Sequence, residues 1–180
     1  NLAAAGDAGA VVTSDAELAA RIRELRQYGW KQRHISEEPG INSRLDELQA
    51  AVLRTKLTTL AENTLRRQDI AGFYTKRLKG LSGVTTPVVR PDCEHVFHQY
   101  VLRCERRDDL LRHLQANGVP VAVHYPVPLH LQPAFRQDVA LPNAERSARE
   151  VLSLPIHPYL TSEAAEAVCR TLETFADGRA

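Results

Sequence analysis

The sequence predicts a mixed α/β fold. Apolar residues recur at helical spacing in several segments, as at Leu18, Ile22 and Leu25. Short runs such as VFHQYVLR (96–103) and Val119, Val121, Val123 alternate as strands do. Glycines, prolines and capping residues largely punctuate the boundaries between these runs.

The bulk properties narrow the class. A chain of 180 residues can bury one sizeable core, as one domain or one domain plus part of another. Its 43% hydrophobic and 25% charged content is that of a globular protein. A net charge of +1 argues against binding nucleic acid or membrane by bulk electrostatics. No run approaches the length of a membrane span. The three cysteines, Cys93, Cys104 and Cys169, are odd in number and scattered, which suits a reducing, cytoplasmic setting.

In chain order, Asn1 to Ser14 is apolar and glycine-punctuated. Ala10–Thr13 reads as a short buried strand, with partner elements expected N-terminal to residue 1. Ser14 or Asp15 caps a helix that Gly29 ends. Trp30 to Ile41 lacks periodicity and reads as a long loop carrying Lys31, Arg33 and His34. A helix is then expected from Arg44 to Leu78, capped by Asn42 or Ser43. Beyond the 87–91 connector come the strand at 96–103 and a helix from Asp108 to Asn117-Gly118. Next are the strand from Val119 running out at His124 and a proline-punctuated loop. A helix over 144–152, an extended 154–158 stretch and a last helix capped near Thr161 or Ser162 complete the chain, as a small open-faced sandwich.

Four groups carry candidate chemistry. Cys93, His95, His98 and Cys104 are metal-ligand types, but no second CxxC or HxxxH pair joins them, so they read as structural and no metal is expected. Lys31, Arg33 and His34 beside Trp30 are either a solvated loop or an anion clamp. Asn42-Ser43-Arg44 is either a helix cap or a phosphate seat at a helix start. His124-Tyr125 through His130 is either a stiff structural turn or a polar-ligand site at a strand end. No Walker loop, HExxH motif or nucleophile elbow is present.

Several stretches, in this order and spacing, resemble the DegT/DnrJ/EryC1/StrS family of pyridoxal-phosphate-dependent nucleotide-sugar aminotransferases. They are NLAAAGDAGAVVT, LRQYGW, GINSRLDELQAAVLRTKL, HVFHQYVLR, VHYPVPLHLQPAF and AERSAREVLSLPIHP. The resemblance spans essentially the whole chain. It implies an α/β fold that is the C-terminal portion of a fold-type-I transferase. Residues 1–43 would be the end of the large cofactor domain with a substrate loop, 44–80 a long connecting helix, and 81–180 a small α/β domain.

The resemblance also implies roles. The family's Schiff-base lysine would stand immediately before Asn1; Lys31, Lys56, Lys76 and Lys79 match no such position, so the isolated chain is expected to be inactive. Asn42 matches the asparagine that reaches across a homodimer to the partner's cofactor phosphate, and Arg44 is its neighbour in the motif. Whether Arg44 touches ligand or braces the loop stays open. The segment from Tyr28 to His34 matches the one approaching the sugar nucleotide, which makes Lys31 and Arg33 diphosphate contacts. His124 and Tyr125 match residues at the nucleotide-sugar end of the pocket. Ala8 stands where a second glycine is common.

VHYPVPLHLQP is most similar to the subgroup aminating 3-keto sugars. The implied reaction moves an amino group from glutamate to a nucleotide-linked 3-keto-6-deoxyhexose, with pyridoxal 5'-phosphate as cofactor. Two alternatives stand beside it: a sugar dehydratase of the same family, in which histidine replaces the lysine, and a non-catalytic fragment or interaction module.

Overall fold

The computed structural model describes residues 1–178; the last two residues of the expected small domain lie outside the described residues. It divides into two compact units, one of Leu2–Leu60 and one from Ala61 onward together with Asn1.

In the first unit, α1 (Ala16–Leu25) starts where the sequence places it. The Asp15 carboxylate accepts from the N–H groups of Glu17 (2.9 Å) and Leu18 (3.0 Å), which would otherwise be orphans. The helix ends at Leu25, four residues before Gly29. Gly29, at φ +73°, still returns its N–H to Glu24 O at 2.9 Å.

The expected 30–41 loop is instead a hairpin of β1 (Trp30–Gln32) and β2 (Ile35–Ser36), paired Trp30 to Ser36. Ala10–Thr13 is not a strand. No ladder partner lies beside it among the described residues, and Val12 is 94% exposed.

The expected helix over 44–78 is two helices, α2 (Glu47–Leu57) and α3 (Leu60–Arg77). The break falls at two threonines whose hydroxyls take main-chain carbonyls of the preceding turn. Thr58 Oγ1 donates to Thr55 O at 2.8 Å, and Thr59 Oγ1 to Lys56 O at 3.2 Å. The N-cap of α2 is Asp46, so Asn42 and Ser43 do not cap it.

The second unit holds the core. A three-stranded antiparallel sheet runs β3–β4–β5, with β3 Val84–Thr85, β4 Tyr100–Cys104 and β5 Val151–Leu154. Tyr100 pairs with Leu154 and Leu102 with Leu152, so their buried side chains share one face. Onto that face pack Tyr74 and Leu78 of α3, Leu110 and Leu114 of α4 (Arg107–Ala116), and Val168, Leu172 and Phe175 of α6 (Ser162–Ala176). Each such side chain stabilises the fold by roughly 1.5–3 kcal/mol. Polar groups taken inside are paired. The Tyr74 hydroxyl donates to Pro155 O at 3.0 Å, and Arg107 Nη1 donates to Ala148 O and Val151 O at 3.1 Å each.

Three expectations shift here. The strand foreseen over 96–103 begins only at Tyr100, because Phe97 turns the chain at φ +42°. The helix foreseen over 144–152 is α5 (Pro142–Glu150), and its apparent tail is strand β5, claimed by pairing with β4. The alternating 119–123 run makes a single bridge, Ala122 to Ser153. The last helix starts as foreseen, Thr161 Oγ1 accepting from Ala164 N at 3.2 Å. Among the described residues, no helix is long and apolar enough to cross a membrane.

Candidate functional site

The 26–44 segment is built on main-chain contacts. Tyr28 N donates to Ile41 O (3.0 Å), Ile41 N to Leu25 O (2.8 Å) and Ser43 N to Arg26 O (2.9 Å), with Gln27 bridged to Asn42. Two glycines permit this approach. A Cβ on Gly40 would stand 2.1 Å from Gly29 N, and one on Gly29 would stand 1.8 Å from Glu38 O.

This base displays most of the candidate side chains. Asn42 is exposed, and its carboxamide has no hydrogen-bond partner among the described residues. The Arg44 guanidinium lies over the rings of Tyr28 (5.3 Å) and Trp30 (5.8 Å). Tyr28 and Trp30 are themselves 5.0 Å apart, and His34 meets Trp30 edge-on at 5.0 Å. Tyr28 and His34 both hold left-handed backbone, at φ 62° and 70°. Arg33 forms no ion pair among the described residues, whereas Lys31 Nζ lies 3.5 Å from Glu37 in an exposed pair. A hollow of about 520 Å³ beside the hairpin is lined by Tyr28 and residues 36–40. Glu37 and Glu38 in its wall disfavour an anion there.

The second unit carries the histidine group. His124 Nδ1 lies 3.1 Å from Ser153 Oγ, and a cavity of about 290 Å³ opens among His98, Gln99, Val121, His124, Ser153 and Ile156. Tyr125 is 73% exposed and stands edge-on to His124 at 5.6 Å, outside that lining. His98 faces Asn1, its Nδ1 3.3 Å from Asn1 Oδ1. Burial holds the His98 imidazole below the usual histidine range, and the Arg67 guanidinium adds to this. His130 is structural. It is buried, with Nε2 3.3 Å from a Glu145 oxygen that also accepts from Leu141 N at 3.0 Å.

The four metal-type residues do not gather. Cys93 is exposed, Cys104 is buried on β4, and His95 Nδ1 accepts from Phe97 N at 2.8 Å. Among the described residues, no three His, Cys, Asp or Glu side chains converge on one point. Sequence reasoning overlooked Asn1, Arg67 and Ser153, and took His98 only as a metal ligand. Their contacts span as many as 97 residues and leave no local pattern.

A sequence model of the DegT/DnrJ/EryC1/StrS aminotransferase family matches residues 1–173. The erythromycin biosynthesis sensory transduction protein EryC1 of Saccharopolyspora erythraea is 51% identical over 98% of this chain and 49% of its own length. The dTDP-3-amino-3,4,6-trideoxy-alpha-D-glucose transaminase of Streptomyces venezuelae is 48% identical over 98% of this chain and 48% of its own. The crystal structure of S. venezuelae DesV in complex with a ketimine intermediate superposes with a TM-score of 0.89 at 46% identity, over 92% of this chain and 46% of that one. The chain therefore spans about half the length of the curated relatives it matches. A match running from residue 1 to residue 173 leaves one assignment: this chain belongs to the DegT/DnrJ/EryC1/StrS aminotransferase family.

Proposed function

We propose that this chain works within a pyridoxal-phosphate-dependent transaminase of nucleotide-linked keto-deoxysugars. The acceptor is a 3-keto-6-deoxyhexose, the donor is glutamate, and the product is an amino sugar. The observation that supports this most strongly is the 48% identity, over 98% of the chain, to a transaminase named for a dTDP-3-amino sugar. In this reading residues 1–43 belong to a cofactor domain and 81–180 to a small domain, with the Schiff-base lysine adjoining Asn1. The enzyme is a cytoplasmic homodimer, which suits three free cysteines.

The residues present suit the cofactor's phosphate. The Asn42 carboxamide is an exposed donor without a competing partner among the described residues, on a base stiffened by main-chain bonds. Asn42 serves the cofactor of the opposite protomer. Bound there, the cofactor would supply an aldehyde carbon to carry the amino group and a ring to take up the electron pair. Arg33 and Lys31 attract the diphosphate, and Arg33 does so with no carboxylate to leave. Arg44 braces Tyr28 and Trp30, so it shapes the hairpin from its aromatic side. His124, oriented through Nδ1 by Ser153, and Tyr125 present imidazole and phenol groups to the sugar nucleotide.

The test uses the intact gene product. Incubated with 15N-glutamate and a nucleotide-linked 3-keto-6-deoxyhexose, it should place 15N on the sugar; an unlabelled product sugar sinks the reading. Asn42→Ala should weaken cofactor retention by about 10- to 100-fold, the loss of one hydrogen bond to a charged group. Equal cofactor occupancy after dialysis would remove Asn42 from the phosphate.

A further inference from the structure

Residues 95–98 form a turn that is held from behind. Arg67 of α3 spans three carbonyls with one nitrogen: Nη1 donates to Ile156 O (2.9 Å), Phe97 O (3.3 Å) and His98 O (3.4 Å). Phe97 N donates to His95 Nδ1 at 2.8 Å, and those two rings lie 4.2 Å apart. The left-handed Phe97 is thereby fixed on both sides.

Two groups of this turn end on one side chain. Asn1 Nδ2 donates to Val96 O at 2.9 Å, and Asn1 Oδ1 lies 3.3 Å from His98 Nδ1. A carbonyl oxygen only accepts, so the NH₂ end of Asn1 belongs at Val96. The other end is then an oxygen, and His98 Nδ1 has to carry the proton it receives. The turn is a donor–acceptor socket for a primary carboxamide.

We infer that His98, backed by Arg67, is a positioning residue that clamps Asn1 and so sets the backbone at residue 1. The inference rests on the reading above that the Schiff-base lysine adjoins Asn1. A neighbour held by two hydrogen bonds loses the torsional freedom that would let that lysine wander. In this role His98 acts through Nδ1 on a protein group.

Two measurements on the intact protein decide it. Long-range 1H–15N NMR with labelled histidine should show His98 as the neutral Nδ1–H tautomer near neutral pH, and Asn1→Leu should release that signal. His98→Phe should lower kcat for amino transfer by about 10- to 100-fold while KM for the sugar nucleotide stays within about twofold. His98→Asn, whose amide nitrogen takes the place of Nδ1, should recover most of the loss. His98→Gln, whose nitrogen takes the place of Nε2, should not. An Nε2–H tautomer, a signal indifferent to Asn1→Leu, full kcat in His98→Phe, or rescue by Gln but not Asn each overturns the clamp. If the wild-type protein moves no amino group, the proposed reaction falls, and the NMR arm alone decides the clamp.

Discussion

The two units solve the problem of holding a chain together in opposite ways. From Ala61 onward, side chains of α3, α4 and α6 close over one face of a sheet, and Tyr74, Tyr100, Leu102, Leu110 and Leu152 lose all contact with water. Between Leu2 and Leu60 the only buried residue among those described is Gly29. That unit is ordered by main-chain hydrogen bonds and by glycines that let backbone touch backbone, while Leu45, Leu48 and Val52 remain exposed. The lesson is that a unit with a dry core carries its own stability. A unit held by backbone contacts leaves apolar side chains exposed.

The sharpest way to break the contrast is at the sheet. Leu102→Ala should destabilise the second unit by about 2–5 kcal/mol, read as the midpoint shift in urea. A shift under about 1 kcal/mol would mean that this core is loosely packed.

Gly40→Ala should cost about 1–3 kcal/mol through overpacking, since its Cβ would meet Gly29 N at 2.1 Å. The loss should stay local. Trp30 is the lone tryptophan of the chain, so a red-shifted emission reports on the hairpin directly. An unchanged Trp30 spectrum would contradict the glycine-packed base.

A smaller effect concerns thiols and pH. Burial first, then Glu166, pushes the Cys169 thiol up to about 12, and burial pushes Cys104 up as well. The folded state therefore favours the protonated thiol. That contribution is complete below the ordinary value near 9 and is lost as pH rises toward about 12. At neutral pH a thiol reagent should label exposed Cys93 at least about 100-fold faster than Cys104 or Cys169. Equal labelling rates would show that the core opens easily.

The smallest expected effect is Leu48→Ala in the 180-residue chain. Leu48 is 84% exposed, so its stability should stay within about 0.5 kcal/mol. A loss beyond about 1.5 kcal/mol, growing with protein concentration, would show a second copy already covering α2.

Much of the fold was legible locally. The Asp15 and Thr161 caps, the Gly118 turn and the apolar faces of α4 and α6 all follow from neighbours within a turn or two. The 44–78 helix was misread because its periodicity runs on through Thr58 and Thr59, where hydroxyl groups take the carbonyls. Strand β5 was hidden because VLSL suits a helix tail as well as a strand. At the site, the exposed Arg33, Asn42 and Tyr125 could be named from motif resemblance. The aromatic seat of Arg44 depends on two rings that the hairpin brings together.

By itself, then, the sequence determined the α/β class, the starts of α1 and α6 and the family, because caps, turn residues and motif order are properties of adjacent residues. The tertiary structure alone decided which apolar runs pair as strands, that His130 is structural, and that His98 meets Asn1 across 97 residues. Those outcomes rest on competition among distant partners for the same hydrogen bonds and the same buried space, and no local window contains both competitors.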